Sequence, residues 1–152
     1  MEARSIEVRT AALPDVAFIA RAQQAMAQET EGITLELGTV QAGVRSLIEH
    51  PQRGFYLLAI QADRACGCVL VLSEWSDWRN REVWWLHSVY VEPEMRGEGV
   101  FRALFIDVER LAREAGVAGL RLYVDKRNAR AQAVYRGLGM TNEHYELFER
   151  ML

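Results

Sequence analysis

A chain of 152 residues, half of them hydrophobic and 26% charged, suits one domain over 1–152 with a core large enough to stand without staples. A net charge of −3 advertises no nucleic-acid footprint, and no apolar run reaches the roughly 18 residues of a membrane helix. The opening MEARSIEVRT is too polar for a secretion signal, so the expectation is a cytoplasmic protein.

In chain order, residues 6–9 read as a short strand. A helix is predicted to begin near Pro14, whose fixed φ suits a first turn, with Val16, Ile19, Ala20 and Ala27 on its apolar face. ETEGITLELGTVQ reads as a polar connector, followed by a second helix over 41–49 with Val44, Leu47 and Ile48 at helical spacing. The runs FYLLAI and CGCVLVL, split by QADRA, predict a hairpin. Cys66 and Cys68 stand two apart in the second run, on one face, as small core residues of a reducing compartment. His50, His87 and His144 are scattered without ligand spacing, so no structural metal is expected.

SEWSDWRNRE is a polar loop carrying two tryptophans. VWWLHSVYV is a strong strand, rich in aromatic and β-branched residues. Alternation places Val83, Trp85, His87, Val89 and Val91 on one face, and Trp84, Leu86, Ser88 and Tyr90 on the other. After EPEMRGEG comes the clearest helix, with Phe101, Leu104, Phe105, Val108, Leu111, Ala112 and Ala115 in one stripe and Gly116 as its stop. LRLYV predicts a short strand, NARAQAVYRGLGM a short helix capped by Asn128, and HYELFERML a closing strand. The pattern implies a mixed sheet covered by helices.

The turn between VWWLHSVYV and the long helix has chemistry of its own. Gly97 and Gly99 remove side chains where the backbone must turn tightly or approach a ligand. The first amides of the helix point into that turn and favour an anion. Arg96 adds a planar fork of donors suited to phosphate. Val100 and Phe101 stand where a nucleotide hydrolase needs Lys and Ser or Thr. The glycines lie in mid-chain, not after a first strand as in a dinucleotide fold.

VYVEPEMRGEGVFRALF resembles the coenzyme A signature of the GNAT superfamily of N-acetyltransferases: Arg or Gln, two residues, Gly, one residue, then Gly or Ala. Arg96, Gly97, Glu98, Gly99 and Val100 follow it, while Phe101 departs from it. YVDKRNARAQAVYRGLGM resembles the second family motif, with Asn128, Tyr135 and the glycines in order. The resemblance implies an α/β (α+β) fold with a mostly antiparallel sheet of about six to seven strands, splayed between the fourth and fifth and flanked by about four helices. It implies that acetyl-CoA is the cosubstrate. Its pantetheine arm would pair with Val89, Tyr90 and Val91, its pyrophosphate would take amides from Arg96 through Phe101 and the side chain of Arg102, and Asn128 would touch the pantetheine side. The Tyr135 hydroxyl would face the thioester sulfur. Dimers are frequent among such proteins.

Acyl transfer to an amine asks for two further groups. An amine with a lysine-like pKa must lose a proton at a cost of about 4.6 kcal/mol at pH 7. Tyr135 is a phenol able to protonate the departing thiolate. For the base, His87 titrates nearest neutrality, with Glu74, Asp77, Glu29, Glu31 and Glu82 as rivals and a water chain as another route. Glu29, Glu31 and Glu36 in the early connector, and Trp75, Asp77 and Trp78 in the tryptophan loop, would suit a cationic acceptor. A small-molecule amine is the favoured acceptor. A protein lysine or N-terminus, and a non-catalytic acyl-CoA sensor, remain as alternatives.

Overall fold

A computed structural model describes residues 5–152. It divides into two compact units, Met1–Arg121 and Leu122–Leu152. The first contains β1 (Glu7–Thr10), α1 (Val16–Glu31), α2 (Leu37–Ile48), β2 (Gly54–Gln61), β3 (Arg64–Ser76), β4 (Arg81–Val91), α3 (Val100–Glu114) and β5 (Leu120–Arg121). The second contains α4 (Ala129–Gly137). Among the described residues, no helix is long and apolar enough to cross a membrane.

The strands lie in the order β1-β2-β3-β4-β5. β1 to β4 pair antiparallel, and β5 pairs parallel to β4 at Trp84↔Leu120 and Trp85↔Arg121. The sheet is thus mixed and mostly antiparallel, as the sequence implies, but it has five strands among the described residues instead of six to seven. LRLYV contributes Leu120–Arg121 alone, paired with β4 at two positions. HYELFERML forms no strand. Tyr145, Leu147, Phe148 and Met151 all stand exposed, so the segment buries no face that would hold it in a sheet.

Pro14 sits in a short 3₁₀ turn before α1. The Asp15 carboxylate accepts both arms of the Arg9 guanidinium, at 2.8 and 2.9 Å, and the Ala12 amide at 2.8 Å. The Arg9 guanidinium is the main reason that the Asp15 carboxyl is held below the usual carboxylate range. α2 begins at Leu37, earlier than spacing predicts, because the Glu36 side chain caps it by accepting the Gly38 and Thr39 amides.

Helices pack on both sheet faces. On one, Val16, Ile19 and Ala22 of α1 and Val44 of α2 form a core with Tyr56, Leu58, Cys68 and Tyr90. Full burial of a side chain the size of Ile19 contributes about 1.5–3 kcal/mol. Both cysteines are buried and free, as expected, and burial pushes the Cys68 thiol up to about 12. The other face takes α3, whose Val100, Leu104 and Val108 are fully enclosed. Gly67 of β3 admits that helix: a Cβ there would stand 2.9 Å from both the Tyr90 carbonyl and Val100 Cγ1.

The β3–β4 register carries one irregularity that decides where side chains point. Cys68 pairs with Tyr90, but Leu70 pairs with His87, so Ser88 and Val89 together oppose Val69. Ser88 adopts φ 52, in the left-handed region. This β-bulge inverts the simple alternation. Val83, Trp85 and His87 share a face as predicted; beyond the bulge it is Tyr90 that joins them, while Val91 crosses to the side of Trp84 and Leu86.

Candidate active site

The corner after β4 is shaped by backbone. Pro93–Met95 forms a 3₁₀ turn, then Gly97 and Gly99 take φ 85 and 84, with Gly99 as the N-cap of α3. A Cβ at either glycine would meet nothing within 4 Å. The glycines are therefore required for their left-handed φ, and the space beside them is open. Ala103 donates to the Gly99 carbonyl at 3.0 Å. The amides of Val100, Phe101 and Arg102, one turn earlier, point along the axis towards the turn. The Phe101 ring packs 6.1 Å from that of Phe105 on α3, so its departure from the family signature leaves the amide in place. Glu98 and Arg102 are exposed. Such a terminus, with room beside it, fits a diphosphate.

Arg96 is held more closely than the sequence suggests. Its Nε donates to the Val91 carbonyl at 2.9 Å, its Nη2 to Glu29 Oε2 at 2.8 Å, and its guanidinium lies 5.7 Å from the centre of the Tyr90 ring. Arg96 and Glu29, assigned in sequence to cosubstrate and acceptor respectively, are one ion pair linking the end of α1 to the corner. Both side chains are partly exposed, so the pair contributes at most about 1 kcal/mol.

A second cluster lies on the sheet face of His87. The Trp85 and His87 rings stack at 5.9 Å with 7° between their planes. The Trp85 indole donates to Glu74 Oε2 at 2.7 Å, and Arg121 reaches Glu74 Oε1 at 3.4 Å. Burial lowers the His87 pKa below its ordinary value, favouring the neutral ring. Alternation puts Trp85 and His87 on one side, but nothing in the sequence singles out Trp85 as part of a site. Its signal would have been the cross-strand partnership with Glu74.

The remaining residues are spread more widely. Glu82 accepts the Ser73 hydroxyl at 2.7 Å, and its register pairs it with Trp75 on the face away from Glu74 and His87. Trp75 and Trp78 are 57% and 86% exposed near the β3–β4 turn, where Asp77 accepts the Trp78 amide at 2.9 Å. Glu31 is the exposed last residue of α1, and Glu36 is spent on capping. In the second unit, Asn128 Oδ1 caps α4 by accepting the Ala131 amide at 3.1 Å. Tyr135 lies on that helix, partly buried, and burial raises its pKa, so the phenol keeps its proton near neutrality. Among the described residues, no group of three or more His, Cys, Asp or Glu could hold a metal ion.

Comparison with known proteins bears on this arrangement. The acetyltransferase (GNAT) family matches residues 19–140. A thialysine N-epsilon-acetyltransferase from Bos taurus is 36% identical over 73 residues, covering 48% of this chain and 42% of the relative. A mycothiol acetyltransferase from Kocuria rhizophila is 38% identical over 66 residues, covering 43% and 22%. The chain thus spans less than half the length of either curated relative. Among solved structures, a possible acetyltransferase from Clostridium difficile 630 has a TM-score of 0.90 and 34% identity over 97% of both chains. A predicted acetyltransferase from Clostridium acetobutylicum with acetyl-CoA shares the fold, with a TM-score of 0.79 and 14% identity over 96% of both chains.

Proposed function

The chain belongs to the acetyltransferase (GNAT) family, and on that premise we propose that it moves an acetyl group from acetyl-CoA to a primary amine by direct attack on the thioester. The observation that carries this reading is the corner: two left-handed glycines opening the amide-bearing end of α3, directly after a bulged strand. The amides from Gly97 to Phe101 would hold the pyrophosphate, and the β4 backbone over Val89, Tyr90 and Val91 would hold the pantetheine arm. Arg96 serves first to brace the corner, through Val91 and Glu29, and meets the phosphates by exchanging Glu29 for them. Arg102 stands exposed in the first turn of α3 as a further cation for them.

His87, neutral at physiological pH, takes a proton from the acceptor's ammonium, directly or through water, and frees the amine to attack the thioester carbonyl. Tyr135, protonated at the same pH, is the donor that the family resemblance implies for the leaving thiolate, and Asn128 the residue it implies for the pantetheine side. The acceptor is a small amine. The similarity to a thialysine acetyltransferase supports an amine at the end of an amino-acid side chain. Buried free cysteines suit the cytoplasm as its setting.

Calorimetric titration with acetyl-CoA, beside S-acetylpantetheine, which lacks the pyrophosphate, tests the corner. Saturable binding that weakens when phosphate is removed is expected; no binding at millimolar ligand overturns the assignment. A panel of amines including lysine and thialysine, read by release of free thiol, tests the transfer. Tight binding with no release across the panel would identify an acyl-CoA sensor instead.

A further inference from the structure

We propose that Glu74 is a positioning residue: through the Trp85 indole it fixes the plane of the His87 ring, and so sets how an acceptor amine meets that ring. The inference rests on the reading of His87 as the base, and it gives Trp85 a role that neither the family motifs nor the strand pattern assigns.

Three strands contribute. Glu74 of β3 pairs with Val83, Trp85 of β4 pairs with Leu72 on one side and with Arg121 of β5 on the other, and His87 follows two residues on. By register, Glu74, Trp85, His87 and Arg121 all rise from the same sheet face. The Trp85 side chain is half-buried, and its indole N–H turns to a protein acceptor at the solvent-exposed edge of the sheet face. Glu74 Oε2 supplies one at 2.7 Å, the short distance of a charge-assisted bond. With its N–H held at one edge, the indole has little freedom to turn, and its face lies 7° from parallel with the His87 ring.

The same contacts make Glu74 a poor base itself. One carboxylate oxygen accepts from the indole and the other faces the Arg121 guanidinium at 3.4 Å. Taking a proton would weaken both interactions. The carboxylate that competes with His87 for the catalytic role in the sequence thus acts on it through Trp85.

The test uses the full chain with isotope-labelled histidine and tryptophan, with L-lysine and thialysine as the amine probes. In the parent protein, the His87 ring protons are expected to carry a ring-current shift from the near-parallel indole. Glu74→Ala should move them towards their unstacked positions, shift the Trp85 indole N–H signal, and lower kcat about tenfold with the acetyl-CoA Kd unchanged. Glu74→Gln keeps a side-chain oxygen for the indole and should restore most of both signals. Trp85→Phe, which keeps a ring but removes the N–H, should become insensitive to a further Glu74→Ala change; it also serves if Glu74→Ala folds poorly. Unmoved His87 signals in Glu74→Ala, whether or not its melting temperature falls, overturn the inference. Failure of the base reading looks different: His87→Gln would then turn over normally while the ring signature in the parent protein stayed intact.

Discussion

The corner at Gly97–Gly99 and the shelf of Glu74, Trp85 and His87 share one strand but are built from different material. The corner is backbone: two left-handed glycines, the first turn of α3 and a bulge. The shelf is side chain: a carboxylate, an indole and an imidazole drawn from two strands, steadied by an arginine from a third. A binding surface made of amides tolerates varied side chains, which is how Phe101 and Glu98 can occupy a coenzyme A signature. A surface made of side chains depends on each of them.

That contrast can be broken by substitution. The largest expected effect is on the chemistry: Tyr135→Phe should lower kcat about 10²-fold with acetyl-CoA affinity unchanged. Free-thiol release and calorimetry together read it, and an unchanged kcat would remove Tyr135 from the reaction. His87→Gln should cost a similar or somewhat smaller factor, again sparing acetyl-CoA affinity. With burial lowering the His87 pKa, the acid limb of kcat/KM should fall below about pH 6.5. The linkage has the same sign: the stability contribution of the neutral ring is present above about pH 6.5 and is lost as pH falls through the lower folded value. A limb above pH 7 would exclude His87.

The corner should respond in the opposite parameter. Gly99→Asp places a carboxylate among the helix amides at φ 84 and should weaken acetyl-CoA about tenfold or more, with kcat at saturation retained. Gly67→Ala should cost about 1–3 kcal/mol of stability by pressing on Val100 and the Tyr90 carbonyl, and should shift the amides of α3 enough to weaken acetyl-CoA a few-fold. Denaturant unfolding and calorimetry check the two parts; full affinity would show that the corner floats independently of the sheet. The smallest effect belongs to Glu29→Gln. Releasing Arg96 from a partly exposed ion pair should tighten acetyl-CoA no more than about fivefold, and weaker binding would mean that Arg96 is useful only as a brace.

How far these features were legible in the sequence follows the same division. Helices α1 and α3, the β2–β3 hairpin and β4 are carried by local periodicity and emerge close to where spacing puts them. The corner is legible because its glycines and helix start are consecutive. The early start of α2 was hidden by a Glu acting as cap where Ser, Thr, Asp or Asn is usual. The faces of Tyr90 and Val91 depart from simple alternation because one extra residue in β4 cannot be seen without the partner strand. The closing strand expected over HYELFERML does not form although Tyr145, Leu147 and Met151 alternate as a strand would, because alternation marks a face and not the partner that would receive it. The Glu74–Trp85 bond joins residues whose meeting depends on register, and the Arg96–Glu29 pair spans 67 positions. No local pattern encodes either.

The bulge at Ser88 acts as a frameshift within a single strand. Up to His87, odd-numbered residues of β4 face the shelf; past it, even-numbered Tyr90 takes that side and reaches the core beneath α1. Deleting Ser88 would put the strand back in frame. Keeping the shelf in register would then turn Tyr90 out of its core and leave Arg96 without the ring it lies over. Keeping Tyr90 in place would turn His87 and Trp85 to the α3 side. One inserted residue thus lets a continuous strand serve two opposed demands, and its removal forces a choice between them.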